Sequence, residues 1–525
     1  MNISSLSIIS RPFDRRPLSS RPRAANASVR ATDHRIHLDF SSERSDFAVA
    51  SQRLKTSIPA LISILNSGFN LPSHHQQSGT FSTGALFGLA WPLGLKTIML
   101  QGIIVIDALL VAPLGETALA AMGLAGAIGG LLMGVLFSFS TATQIRVAQA
   151  FGAAGPVALK TSLYCGLLIN VVATILGICL VFVFGDRIID GFAHTPWIAE
   201  QASRYLHVFL WVAAFEAVGQ CLASHFNGCG KTRIPFYSYL IAVPINIGVS
   251  LVLIHGLYGF PELGVMGAAV GSATSSGARL LFMGWRFFIE DGEILGAKGW
   301  SKPTFAQALR RHWAFSLPIA GTFISTSIGN QTCVLIYATL SVNEFAAMTL
   351  MLPWVQTAGV FGMAWAQATG IAVAQLLGRN LGETALDEFL SRAWRAAFWA
   401  AGVVALAYLI LCLFSGQIYS NLEPETTAIL LTFLPVLLVL PFPKGSNAIC
   451  GQTLRASGDT LTVMNIFIIG QWGFKVPVTA LLVLVLDVHV AWVLSLLLFE
   501  ELVKFPMFHK RLWRGDWKRA AVFDD

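Results

Sequence analysis

The sequence predicts an all-α polytopic membrane protein with twelve transmembrane helices in two six-helix lobes. The 525 residues are 55% hydrophobic and only 12% charged, whereas soluble domains carry about 25% charged residues. Apolar segments long enough to cross a hydrocarbon core of roughly 30 Å recur from about residue 85 to the end of the chain. In addition, landmarks in the first half of the sequence recur in the second half.

Each apolar segment is predicted to be a helix, because a backbone inside lipid must satisfy its own hydrogen bonds. We place the spans at residues 84–110, 118–145, 159–184, 205–226, 235–256, 264–288, 314–338, 346–374, 394–415, 426–447, 462–486 and 489–509.

The Lys and Arg residues identify the sides of the membrane, since cytoplasmic loops carry an excess of them. They concentrate in alternate loops, most densely at 286–311 and again at 510–519, whereas acidic residues dominate the opposite loops. Both termini are therefore predicted to be cytoplasmic, and the number of spans is even. Because the basic residues are scattered over loops, the formal charge of +7 does not indicate nucleic-acid binding.

Several landmarks repeat at a near-constant offset. Residues 147–152 have the sequence VAQAFG and residues 373–378 have the sequence VAQLLG, and at the same offset Pro92 matches Pro318. The turn with sequence GKT at 230–232 matches GDT at 458–460. The repeat contains six spans, so both copies share one orientation and are related by a pseudo-two-fold axis along the membrane normal. Transporters with this arrangement bind substrate between the two lobes.

The domains follow from the spans. Residues 1–83 form a Ser/Arg-rich segment that is predicted to be a disordered cytoplasmic tail or an organellar transit peptide. The N-lobe covers 84–288, a cytoplasmic linker 289–312, the C-lobe 313–510 and a cytoplasmic tail 511–525. We expect a multi-pass protein of the cell membrane, in a bacterial inner membrane, or in a plastid envelope if residues 1–80 are a transit peptide.

The turns and spans of both halves resemble the multidrug and toxic compound extrusion (MATE) family. The family pattern is similar to LRGxGDTRxP, then a fifth span containing Asn, then PxLGVxGAAxAT. Here residues 226–256 are FNGCGKTRIPFYSYLIAVPINIGVSLVLIHG, residues 261–275 are PELGVMGAAVGSATS, and the second half contains TLRASGDTLTVM at 453–464. The resemblance covers residues 84–515. It implies efflux of small organic solutes driven by inward H⁺ or Na⁺, with alternating access, no organic cofactor and a monomer surrounded by membrane lipids.

Asp107 is the first candidate for ion coupling, because an ionisable residue in an apolar span is a functional candidate by default. By resemblance it matches the first-span carboxylate of the family, and Asn246 matches an amide that supplies an oxygen to the same site. The alternative is a solvated aspartate near the outer end of its helix. Ser250 stands where the family often has Asp, and Ser272 ends the GAAxAT pattern. One carboxylate with two hydroxyls suits H⁺ better than Na⁺, which favours a more negative oxygen set.

The second lobe departs further from the family. Thr326 and Asn330 occupy the region where many members carry a Glu, Lys444 falls close to a tenth-span carboxylate, and Asn447 falls near the family's amide. If Lys444 faces the cavity, it favours an anionic or neutral solute; the alternative is a lysine that extends to the cytoplasmic interface.

Other intramembrane residues complete the candidate set. Gln471 and Lys475 are predicted to line the C-lobe cavity, and Glu216 is a second candidate proton site without an obvious partner. Pro92 and Pro318 lie within spans and permit bending, so they are candidate gating residues.

Three alternatives to a MATE-type antiporter differ in what they require. A lipid or polyprenyl-linked flippase of the same superfamily would need more cationic residues along the cavity than Lys96, Lys444 and Lys475. A membrane-embedded enzyme is disfavoured because the sequence contains no HExxH, GxSxG or P-loop motif in a suitable context. A channel is disfavoured by the two-lobe duplication. Without an ATP-binding motif, an ion gradient must supply the energy.

Overall fold

The computed structural model describes residues 82–153, 155–297, 302–414, 424–486 and 488–519. Most of the predicted N-terminal tail, residues 298–301 of the predicted linker and the last six residues lie outside the described residues. The described part of the chain is helical and contains no β-strand, as the sequence predicts.

Twelve helical spans follow one another in the described residues. They are α1 Thr83–Val111, α2 Glu116–Gly152, α3 Pro156–Phe192, α4 Pro196–Gly228, α5 Arg233–His255, α6 Val265–Glu290, α7 Lys302–Tyr337, α8 Val342–Gly378, α9 Glu383–Leu413, α10 in three pieces (Pro424–Thr432, Leu434–Val439 and Pro441–Ala456), α11 Thr460–Val485 and α12 Val490–Trp513. Each contains most of one predicted span. Helix α7 begins at Lys302, well before the predicted start at 314, so its first turns occupy part of the predicted linker.

Local sequence signals explain where several helices begin and end. Ser341 and Glu344 form a reciprocal capping box at the start of α8, which satisfies two backbone N–H groups that a helix leaves free. The repeated turns are also equivalent in conformation: Gly230 (φ 82°) follows α4 and Gly458 (φ 98°) follows α10. Glycine adopts this left-handed region without the strain that a Cβ brings, so the repeat of the sequence is a repeat of backbone geometry.

Ten of the twelve spans meet the length and hydropathy expected of a membrane-crossing helix in the described residues. Nine do so as single helices, and α10 does so as a pair of pieces bent by 44°. The remaining two, α6 and α12, close the N-lobe and the C-lobe respectively. Both carry a buried polar face, which includes Ser272 and Arg279 on α6 and Glu500 and Lys504 on α12. Their lower hydropathy is therefore a consequence of polar groups that they bring into the bundle.

The two lobes are joined by a pair of equivalent hydrogen bonds at the ends of α2 and α8. Gln149 Nε2 of α2 donates to the carbonyl oxygen of Ala456 at the end of α10, at 2.7 Å. Gln375 Nε2 of α8 donates to the carbonyl oxygen of Gly228 at the end of α4, at 2.6 Å. These glutamines are the third residues of the two VAQxxG segments, so the duplicated motif links each lobe to the other.

The glycines of the same two segments allow the helices to approach closely. A Cβ on Gly152 would overlap the backbone carbonyl of Gln375, and a Cβ on Gly378 would overlap that of Gln149. A buried apolar cluster that includes Leu86 and Ile371 continues across the lobe boundary beside this crossing. Since the crossing lies on the predicted cytoplasmic side, we interpret the conformation as closed toward the cytoplasm.

We expect Gly152→Ala to favour separation of the lobes at this crossing. Overpacking costs about 1–3 kcal/mol, which corresponds to a shift of roughly fivefold to more than a hundredfold in a two-state equilibrium. The measurement is the distance between spin labels at Ala153 and Arg379, with the exposed Cys179 replaced by Ser. The control is Gly123→Ala on the same helix, where an added Cβ meets nothing within 4 Å. An unchanged distance distribution in Gly152→Ala would contradict the interpretation that close packing at this crossing holds the cytoplasmic side closed.

Candidate ion-coupling site and solute cavities

Asp107 is buried between three helices of the N-lobe. Its side chain is 4% exposed, rather than solvated at the end of α1. Ser272 Oγ of α6 donates to Asp107 Oδ2 at 2.8 Å, and Ser250 Oγ of α5 donates to Oδ1 at 3.3 Å. Asn246 lies one turn before Ser250, on the same face of α5, and completes the cluster. The structure thus brings together the four residues that the sequence groups as the ion-coupling set.

A glycine explains why α5 and α6 come close enough to form this cluster. A Cβ on Gly271 would lie 2.9 Å from the backbone nitrogen of Ser250 and 3.1 Å from the carbonyl oxygen of Asn246. Only a residue without a side chain allows this approach, and the next residue, Ser272, is thereby held against Asp107.

The Asn246 amide has two chemically distinct arrangements. With its nitrogen toward Ser272 Oγ, at 3.2 Å, its oxygen faces Asp107 Oδ1, which suits a protonated carboxyl group. With the amide rotated by half a turn, the nitrogen lies 3.2 Å from Asp107 Oδ1 and donates to an ionised carboxylate. The hydrogen-bonding partners of an amide decide between such orientations, and in the rotated one the amide oxygen also accepts from the Ser272 N–H at 3.3 Å, so both ends of the amide are satisfied.

A buried ion pair lies in the same lobe. Arg279 Nη1 of α6 donates to Glu216 Oε1 of α4, and Gln220 Nε2 donates to Glu216 Oε2 at 2.6 Å. The Arg279 guanidinium lies 3.7 Å from the centre of the Tyr239 ring. Glu216 therefore has a charged partner, which the sequence analysis did not identify. Asp107, Glu216 and Arg279 line one cavity of about 540 Å³.

A central cavity of about 570 Å³ is lined by residues of both lobes. Its lining includes Thr326 of α7, Lys444 and Arg455 of α10 and Phe467 of α11. Among the described lining residues, Lys444 and Arg455 carry the formal charge, and both are cationic. The wall of this cavity is therefore positive.

The C-lobe contains a third cavity, of about 480 Å³, which also includes Thr326 and Lys444. Lys475 Nζ donates to Asn330 Oδ1 at 2.9 Å and lies 3.3 Å from Glu500 Oε2. Gln471 lines the same cavity. Asn447 instead turns to α12, where its Nδ2 donates to the backbone and side-chain oxygens of Glu501, both at 2.8 Å.

Irregular geometry in α10 and α11 directs C-lobe side chains into the cavities. Helix α10 bends by 44° before its last piece, which begins at Pro441, a residue that interrupts regular helix geometry. Lys444 follows on the first turn after this bend and lines two cavities. Residues 469–475 of α11 are π-helical. Such segments shift the positions of side chains and are frequent at functional sites, and here they contain Gln471 and Lys475.

The two proline candidates for gating occupy equivalent positions. Pro92 is buried in α1 and Pro318 is buried in α7, and the Thr322 hydroxyl donates to the carbonyl oxygen of Pro318 at 2.8 Å. Their gating role stays a prediction.

Sequence reasoning missed several charged residues that line the cavities. They are Arg279, Arg455, Glu500, Glu501 and Lys504. The rule that drew attention to Asp107, an ionisable residue within a span, identifies Arg279, Glu500, Glu501 and Lys504 too when it is applied to all twelve spans. Arg455 lies outside the predicted spans, and the structure brings it to the cavity because α10 extends to Ala456.

Two lobes of six helices, a buried carboxylate cluster in one lobe and a cavity between the lobes define a multi-pass secondary transporter. The MatE family model matches residues 92–252 and 318–481, which places one copy of the family repeat in each lobe. The chain belongs to the MatE family, and the resemblance identified in the sequence is confirmed.

Curated relatives are similar over most of their length. The chain is 22% identical over 439 residues to the uncharacterized transporter YisQ of Bacillus subtilis, covering 82% of this chain and 94% of the relative. It is 23% identical over 403 residues to the multidrug resistance protein NorM of Burkholderia vietnamiensis, covering 74% of this chain and 84% of the relative. Efflux by a secondary transporter is thus the activity that the relatives support.

Solved structures confirm the fold. The eukaryotic MATE transporter AtDTX14 superposes with a TM-score of 0.73 at 17% identity, covering 84% of this chain and 97% of that one. A MOP superfamily transporter from Pyrococcus furiosus, described as having a binding pocket of reverse polarity, superposes with a TM-score of 0.72 at 17% identity, covering 83% and 96%.

We expect Arg279→Ala to destabilise the N-lobe, because it leaves the Glu216 carboxylate buried without its cationic partner. Breaking a buried ion pair costs about 3–5 kcal/mol, whereas replacing both members with apolar residues is often neutral. Thermal unfolding in detergent should therefore show a lower midpoint for Arg279→Ala and recovery in Glu216→Leu/Arg279→Met. Equal decreases of the unfolding midpoint in the single and the double variants would contradict the interpretation that Glu216 and Arg279 serve only to neutralise each other's charge.

Proposed function

We propose that the protein is an antiporter that exports small anionic or neutral organic solutes in exchange for inward H⁺, with Asp107 as the coupling carboxylate. The observation that carries this proposal is the separation of charge between the cavities. The N-lobe cavity has a formal excess of one negative charge, whereas the central and C-lobe cavities have an excess of positive charge. The coupling cation and the solute then bind at sites of opposite sign.

The donor set around Asp107 supports H⁺ over Na⁺. Both serine hydroxyls donate hydrogen bonds to the carboxylate. They therefore occupy lone pairs of the carboxylate and do not act as oxygen ligands of a cation. Hard cations prefer several oxygen ligands with net negative charge, and this cluster offers one carboxylate. A proton needs only that carboxylate and a partner that tolerates both states, which the rotatable Asn246 amide supplies.

The positive wall of the central cavity supports an anionic solute. Lys444 and Arg455 face this cavity without an acidic counterpart among its described lining residues, and a charge-assisted hydrogen bond is stronger than a neutral one. Aromatic residues such as Phe323 and Phe467 supply apolar contact area. An organic acid with an aromatic ring combines both properties.

We expect Asp107→Asn to abolish solute uptake driven by a pH gradient in liposomes, because the amide cannot exchange a proton in the working range of pH. Uptake should fall to the level of protein-free liposomes, while solute binding in detergent persists. The control is Asp190→Asn, the same change at an exposed site. Normal ΔpH-driven uptake by Asp107→Asn would refute the coupling site, and uptake driven by a Na⁺ gradient alone would refute H⁺ coupling.

We expect Lys444→Gln to weaken transport of benzoate and to spare the uncharged benzamide. Loss of a hydrogen bond to a charged group costs about 1.5–3 kcal/mol, so the KM for benzoate should rise roughly tenfold or more. The control is Lys510→Gln on the exposed end of α12. Unchanged benzoate transport would exclude Lys444 from the solute path. Movement of a lipid-linked sugar across the bilayer without any solute flux would support the flippase alternative.

A further inference from the structure

Helix α12 brings three charged residues into the C-lobe cavity that the proposed function does not use. Glu500, Glu501 and Lys504 line this cavity together with Lys444 and Lys475. Glu500 is 8% exposed and Lys504 is 3% exposed. Charges buried to this degree are costly unless they are paired, so their pairing reveals how the cavity is balanced.

The two glutamates form ion pairs with two of the three lysines, Lys475 and Lys504. Glu500 bridges two lysines, with Oε2 at 3.3 Å from Lys475 Nζ and Oε1 at 3.1 Å from Lys504 Nζ. Glu501 Oε1 is 2.7 Å from Lys504 Nζ. Among the described residues, no ion pair or side-chain hydrogen bond engages Lys444.

The packing holds this arrangement in place. Glu500 and Lys504 are four residues apart and therefore lie on one face of α12. A Cβ on Gly470 of α11 would lie 3.0 Å from Lys504 Cγ, so the lysine stem fills the space that this glycine leaves. Gln471, on the next position of α11, has a buried amide nitrogen without a hydrogen-bond partner in the described part of the chain. The cavity therefore offers a free ammonium group and a nearby unused amide donor.

We propose that the two α12 glutamates, Glu500 above all, act as internal counter-ions that limit the C-lobe cavity to solutes with a single negative charge. The proposal rests on the proposed export of anions. Three lysines and two glutamates leave a formal excess of one positive charge, and one monoanion neutralises it. Within the C-lobe cavity a dianion would need a second free lysine. Releasing Lys475 from Glu500 would leave this buried carboxylate with Lys504 alone, a lysine that Glu501 shares, and loss of a partner from a buried ion pair is unfavourable.

The test compares benzoate, the dianion isophthalate and neutral benzamide in liposomes, at a pH where both acids are ionised. Potassium and valinomycin clamp the membrane potential at zero, so that the charge of the solute does not alter the driving force. We expect wild type to prefer benzoate. In Glu500→Gln, Lys475 keeps Asn330 and Lys504 keeps Glu501, and the isophthalate-to-benzoate ratio should rise roughly tenfold or more, as expected when a close charge pair is gained.

Further variants separate a charge effect from a packing effect. Lys475→Gln/Glu500→Gln restores the formal excess of one positive charge, so it should return the preference to benzoate, and Glu500→Asp should resemble wild type. Glu388→Gln, the same change at an exposed position of α9, is the matched control. If Glu500→Gln cannot be purified, Glu501→Gln makes the same change of charge and should shift the ratio in the same direction.

The outcomes distinguish the two proposals. An unchanged ratio in Glu500→Gln, or an equal shift in the double variant, overturns the counter-ion role while leaving the export of benzoate intact. Absence of any ΔpH-driven uptake of benzoate by wild type overturns the proposed function itself.

Discussion

The crossing of α2 and α8 is the contact on which the arrangement of the two lobes depends. Each helix supplies a glycine that admits the backbone of the other and a glutamine that satisfies a carbonyl at the end of a helix in the opposite lobe. Carbonyls at helix ends have no partner within their own helix, and here the other lobe provides one. The contact is small, directional and made of groups that water can replace. It lies beside a buried apolar cluster that also spans the lobe boundary, so separation of the lobes on this side exposes apolar side chains in addition to breaking these hydrogen bonds.

The polar residues are concentrated where lipid does not reach them. Helices α6 and α12 fall short of the hydropathy of the other spans because they face cavities with serine, arginine, glutamate and lysine. In each case the cost of burial is offset locally: Arg279 compensates Glu216, and Lys475 and Lys504 compensate Glu500. The two lobes repeat the same helices and turns, yet the charged residues that line their cavities have opposite net charge.

The fold was predictable because its causes are local along the chain. Span length, the distribution of Lys and Arg, and the repeated Gly-containing turns each depend on neighbouring residues, and the described part of the chain has twelve helical spans in the predicted order. The Asp107 cluster could also be grouped, although only the structure gives its hydrogen bonds. The pairing of Glu216 with Arg279, 63 residues later, could not be inferred, since one sequence does not state which faces of two helices meet. Nor could the direction of Lys444, which follows the bend before Pro441.

The adjacency of the three cavities supports the proposed coupling of a proton to the solute. Gln101, Phe137 and Phe323 line both the N-lobe and the central cavity, and Thr326, Gln356 and Lys444 line both the central and the C-lobe cavity. Phe323 of α7 packs directly on Gly134 of α2, so a C-lobe ring closes against an N-lobe helix between the two sites. Helix α1 carries Asp107, and it packs against α5 in its own lobe and α8 in the other. In the proposed mechanism, a change in the hydrogen bonds around Asp107 that shifts α1 acts on α8, whose cytoplasmic end forms the close crossing with α2. A ligand shifts an equilibrium between two conformations only by its difference in affinity for them. Coupling therefore requires only that α1 contacts α8 differently when Asp107 is protonated and when it is ionised.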